Sequence, residues 1–76
     1  MKAEIPVVQI GKNGLTETSI THIARILRQK KVVRIRFLRS FSEKHRMKEI
    51  AEELAQKTKA ERSSQVGFVI TLHKEK

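Results

Sequence analysis

The sequence predicts an α/β domain: a two-layer sandwich in the order β-α-β-α-β-β, with both helices on one face of a mixed four-stranded sheet. Three observations predict it. Two segments repeat apolar residues at spacings of three and four, the segments between them alternate apolar and polar residues, and only one Pro and three Gly punctuate 76 residues. A chain of this length buries roughly 60% of the surface its unfolded form exposes, which supports one core and one domain over residues 1–76.

The first strand is expected at residues 7–10, a run rich in β-branched residues that follows Pro6 and ends at Gly11. Proline suits a strand start, where its missing donor does least harm. Gly11-Lys12-Asn13-Gly14 then favours a turn or positive φ. In the helix that follows, Ile20, Ile23, Ala24 and Leu27 form the apolar stripe, with Thr21, His22, Arg25, Arg28 and Gln29 outside. Thr16 is its expected N-cap, Glu17 favours the positive helix end, and Leu15 with Ile20 makes a hydrophobic staple. Lys30 and Lys31 mark its carboxyl end.

Residues 32–38 alternate Val33, Ile35 and Phe37 against Arg34 and Arg36, as a half-buried strand does. Ser40 with Glu43 matches a capping box, Ser42 is an alternative N-cap, and Met47, Ile50, Ala51, Leu54 and Ala55 mark a second helix to about Thr58. Its outer face mixes His45, Lys48, Glu49, Glu52 and Glu53 and so attracts phosphate poorly. Residues 61–66 read as a polar strand, Gly67 as a bend, and Phe68, Ile70 and Leu72 alternate with Val69, Thr71 and His73 in a final strand. Two right-handed β-α-β crossovers imply parallel pairs with both helices on one face. Val8, Ile10, Val33, Ile35, Phe37, Phe68, Ile70 and Leu72 are expected beneath them, and Val7, Gln9, Arg34, Arg36, Thr71 and His73 on the open face.

Charge is segregated along the chain. The formal net charge is +9; residues 1–40 hold nine bases against two acids, a net of +7, whereas residues 41–76 hold eight against six, a net of +2. Concentrated Lys and Arg bind polyanions, because each neutralised phosphate releases condensed counterions; solubility alone needs no such asymmetry. With the absence of cysteine, of any membrane-length apolar run and of a signal peptide, this reads as a soluble chain of the cytoplasm.

The loop between strand and capped helix can aim backbone amides and a positive helix end at one anion, while Gly11 and Gly14 let a sugar-phosphate chain approach closely. Lys12 adds a cation and Asn13 two donors. The KH module clamps nucleic-acid backbone with a GXXG loop in this way. The stretch Pro6-Val7-Val8-Gln9-Ile10-Gly11-Lys12-Asn13-Gly14-Leu15-Thr16-Glu17 resembles the signature of the CRM domain, named for chloroplast RNA splicing and ribosome maturation, whose single-domain members are the YhbY-like proteins. Residues 33–38, residues 48–58 and Val66-Gly67 with the final strand fall in the same register, so the resemblance covers about residues 5–74. It implies a fold similar to the C-terminal domain of bacterial translation initiation factor three, RNA binding through the loop and nearby basic side chains, and association with precursor large ribosomal subunits.

Three departures from the family pattern stand out. The usual N-terminal helix is expected to be missing, since about five residues precede the first strand. Lys59 replaces the common Gly after the second helix, where a lysine would have to turn without positive φ. The third strand is polar (Glu61-Arg62-Ser63-Ser64-Gln65) and is expected at a sheet edge.

The expected RNA-binding residues are therefore Gly11, Lys12, Asn13, Gly14 and Thr16, with Arg25 and Arg28 continuing a phosphate track along the first helix. Arg34 and Arg36 form an alternative track on the sheet. Alternation turns Phe37 and Phe68 inward, which disfavours base stacking on the sheet and leaves backbone recognition. The chain lacks Asp and a nucleophile elbow, and its three histidines sit on different elements, so neither an enzyme, a metal site nor a cofactor is expected, nor a small-molecule substrate. Two other classes fit the same residues: an Alba-like protein coating DNA or RNA as a dimer, and a protein-interaction module using its apolar edge.

Overall fold

The computed structural model describes residues 5–11, 14–38 and 46–74. Its elements run β1 (Val7–Ile10), α1 (Glu17–Lys30), β2 (Val32–Phe37), α2 (Met47–Thr58), β3 (Arg62–Val66) and β4 (Val69–His73). The order is the expected one. Boundaries differ by single residues: Leu38 and Glu61 stand outside their strands, and Phe68 precedes the last one. The expected caps at Ser40, Ser42 and Glu43, like Phe41 and His45, lie outside the described residues.

The sheet order is β1-β2-β4-β3. β1 pairs with β2 in parallel, Val8 against Ile35 and Ile10 against Phe37. β4 is antiparallel to both β2 and β3. The expectation of two paired parallel strands is corrected here: β2 and β3 run in the same direction, but β4 inserts between them. A tight turn at Gly67, with φ of 56°, returns the chain from β3 so that β4 fills that gap. The most polar strand, β3, takes the edge, where charged side chains discourage pairing with other chains.

The alternation in β2 and β4 places Val33, Ile35, Ile70 and Leu72 at no measurable exposure, against Ile23 and Leu27 of α1 and Leu54 of α2. α1 packs on β2, α2 on β3, and the helices on each other, which puts both on one face. Val8 and Phe68 are only partly covered at the margin of this core. Thr58, buried at the end of α2, is satisfied by donating its hydroxyl to the Leu54 carbonyl at 2.7 Å.

Both helices end in the same way. Lys31 (φ 70°) and Lys59 (φ 62°) take the left-handed conformation, and their N–H groups donate to the Leu27 carbonyl and to the Ala55 and Gln56 carbonyls. Lys59 thus does turn with positive φ, correcting the expectation, because closing the helix carbonyls outweighs the steric cost of its Cβ. That cost is roughly 1–2 kcal/mol per non-glycine residue, partly offset by the larger freedom glycine has when unfolded. Lys31→Gly and Lys59→Gly are each expected to raise stability by about 0.5–1 kcal/mol in urea unfolding. A loss of stability in either variant would contradict this account of the helix ends.

Candidate nucleic-acid interface

The turn from β1 into α1 is built from the backbone outward. The Leu38 N–H donates to the Ile10 carbonyl at 3.2 Å, fixing the end of β1 beside the end of β2. The Gly14 N–H donates to the Gly11 carbonyl at 3.1 Å, closing a four-residue turn, and Gly14 itself takes φ of 81°. Only Gly14 needs glycine for its conformation. Gly11 has no positive φ, is exposed, and a Cβ built on it meets nothing within 4 Å. The fold places no demand on Gly11 for a missing side chain, yet its backbone is open to close approach from solvent. Lys12 and Asn13 lie outside the described residues.

α1 starts as expected. Thr16 Oγ1 accepts from the Ser19 N–H at 3.2 Å, and the Ile20 N–H donates to the Thr16 carbonyl at 2.9 Å. The same hydroxyl donates to Ser19 Oγ, so Thr16 serves first as a cap. Leu15 and Ile20, both half-buried, pack against the core as a staple should. The positive end of α1 is thereby fixed beside Gly11 and Gly14, with the Glu17 carboxylate in its first turn.

Along the outer side of α1, Thr18, Thr21, His22 and Arg25 line a shallow concavity that begins at Glu17. Arg28 continues this side one turn later. At 1.5 Å per residue, Thr16 to Arg28 is about 18 Å, so Arg28 lies near the pole opposite the loop. There it lines a cleft with Lys57, Lys59 and Lys74. These three lysines went unconnected in the sequence reading because no spacing along the chain links them; the sheet and the helix ends bring them together. Between the helices, a cleft of about 310 Å³ has an apolar floor that includes Ile20, Ile50 and Leu54. Its rim balances Arg46 and Lys57 against Glu17 and Glu53, and Lys57 Nζ pairs with Glu53 at 3.2 Å, so it does not concentrate positive charge.

Arg34 and Arg36 are exposed on the open face of the sheet, the layer opposite the helices. They pair across strands with Val7 and Thr71, and with Gln9 and Val69. Arg62 and His73 oppose each other farther along this face. The expected binding residues thus divide between two surfaces: Gly11, Gly14, Thr16 and Arg25 share one side, and Arg34 with Arg36 occupies the other. Phe37 is 2% exposed, which removes it as a stacking platform.

The family model of the CRS1 / YhbY (CRM) domain matches residues 2–74, nearly the whole chain.

This chain belongs to the CRS1/YhbY (CRM) domain family.

No curated protein matches it significantly. The CRM domain is an RNA-binding domain, generally non-enzymatic, and RNA is therefore the class of partner. Among the described residues no cluster of three His, Cys, Asp or Glu could hold a metal ion, and no helix is long and apolar enough to cross a membrane.

The two CRM-loop glycines are separable by substitution. Gly14→Ala should cost about 1 kcal/mol because an alanine must take its left-handed φ, while Gly11→Ala leaves thermal unfolding unchanged or slightly improved. Thr16→Ala should cost about 1 kcal/mol through loss of the cap. Equal destabilisation by both glycine substitutions would show that Gly11 is structurally constrained.

Proposed function

We propose that this CRM domain holds structured RNA by its sugar-phosphate backbone, using the loop of Gly11, Lys12, Asn13 and Gly14, the start of α1 at Thr16, and Arg25 with Arg28 beyond it. It acts by binding alone, as a single domain, and the RNA is that of a precursor large ribosomal subunit in the cytoplasm. The observation that carries this reading is the open space over Gly11 beside a capped helix end. A ribose-phosphate chain can come within contact of the backbone there, where a helix amino terminus favours negative charge. Arg25 follows on an exposed turn of the same helix.

The ribosomal assignment rests on the family to which the chain belongs and on the asymmetry of its charge. Backbone recognition agrees with the aromatic content: among the described residues, Phe37 is buried and Phe68 half-buried, and neither offers the fully exposed ring a base-stacking surface requires.

Filter binding with a ribosomal RNA hairpin and a matched DNA duplex tests the reading. The RNA should bind more tightly, and Gly11→Ala should weaken it without loss of stability, since a methyl group then stands where the sugar-phosphate chain approaches. Arg25→Ala should weaken all RNA sequences alike and lower the slope of log K against log salt by about one unit. DNA bound as tightly as RNA would favour a general nucleic-acid coat over ribosome maturation. Loss of binding on Arg34→Ala and Arg36→Ala, with Gly11→Ala and Arg25→Ala unaffected, would move the interface to the sheet.

A further inference from the structure

The pole opposite the loop carries a cluster of positive charge assembled from both helices and the end of the sheet. α1 ends at Lys31 and α2 at Lys59, each in the left-handed conformation that a lysine ordinarily avoids. The Lys74 N–H donates to the Lys31 carbonyl at 2.9 Å, and the Glu61 N–H donates to the His73 carbonyl at 2.8 Å, which draws the segments carrying Lys31, Lys59 and Lys74 into one corner. A cleft of about 150 Å³ opens there, lined by Arg28, Lys57, Lys59 and Lys74 together with Ala24 and Thr58. It is smaller than the roughly 300–1,000 Å³ of small-molecule sites, and its charged lining suits a phosphate group.

Helix capping accounts for only part of this charge. Each helix carboxyl end carries about half a negative charge, so the two ends are complemented by about one cation. Glu53 engages Lys57, and Glu61 adds one further carboxylate. Among the described residues, Arg28, Lys30, Lys31, Lys57, Lys59 and Lys74 outnumber these, so cations predominate at this pole. At Lys31 and Lys59 the lysine side chain is present where glycine would fit the backbone better; conformational strain of this kind is a pointer to function.

We propose that this pole is a second phosphate-holding surface for RNA, separate from the loop and centred on Lys31, Lys59 and Lys74. The proposal rests on the RNA-backbone reading above and extends it. The exposed stripe of Thr18, Thr21, His22, Arg25 and Arg28 joins the two ends of α1. The separation of about 18 Å is within the reach of a few consecutive nucleotides of one strand, so one RNA backbone can engage both ends.

The test is the salt dependence of binding to a ribosomal RNA hairpin, with thermal unfolding of each variant measured alongside. Lys59→Gly should lower the slope by about one unit and Lys31→Gly/Lys59→Gly by about two, while both variants melt no lower than the original protein. Lys48→Gln, which removes one charge from α2 away from the pole, should leave the slope unchanged. RNA binding that depends on Gly11 but keeps its slope in the pole variants overturns the second surface and spares the loop. Failure of the unaltered protein to bind the hairpin overturns both. An equal effect of Lys48→Gln also overturns the proposal, because net charge would then suffice. Binding of poly-glutamate as tight as that of RNA, lost in the same variants, overturns RNA as the occupant.

Discussion

At Gly14 the chain must take a left-handed bend, with φ of 81°, for β1 to leave the sheet and α1 to return across it. The Gly14 N–H closes the turn on the Gly11 carbonyl, Thr16 caps the helix two residues later, and Leu15 with Ile20 seats the first turn on the core. Because these contacts all fall between Gly11 and Ile20, the direction of α1 and the place of its positive end are set together. The core then holds that direction, since Ile23 and Leu27 are fully buried against Val33 and Ile35. A charged track along α1 would have no defined starting point without this turn.

Much of this was legible in the sequence because the signals were local. A β-branched run after Pro6, Thr16 at cap spacing and strict alternation through Val33, Ile35 and Phe37 each depend on a few neighbouring residues, and each produced the element expected. The insertion of β4 between β2 and β3 was not legible, because it depends on pairing between distant strands that alternation alone does not rank. Lys59 departed from expectation for a related reason: propensity disfavours its φ, but tertiary packing of α2 decides where the helix must end. At the loop, residue type suggested a turn or positive φ without saying which residue takes it, and the backbone gives the left-handed conformation to Gly14 and not to Gly11.

The two-layer architecture also separates charges that the sequence groups together. Arg25 and Arg28 stand on a helix, Arg34 and Arg36 on the far face of the sheet, although all four fall within twelve residues of chain. Strand alternation that buries Val33 and Ile35 necessarily turns Arg34 and Arg36 to the opposite surface. Charge in the first forty residues is thus distributed around the domain, while helix termini gather lysines from distant parts of the chain into one pole. Total charge predicts attraction to RNA; only the fold decides which cations can act on the same strand.

The central claim is that RNA backbone meets the domain at the glycine-flanked turn and along α1. Amide chemical-shift mapping of the isotope-labelled protein during titration with a ribosomal RNA hairpin tests it most directly. The account predicts the largest changes at Gly11, Gly14 and the first turn of α1, continuing to Arg25 and Arg28, with small changes at Arg34 and Arg36. Saturating RNA that shifts the sheet-face amides of β2 and β4 and leaves Gly11 and Gly14 undisturbed would contradict it.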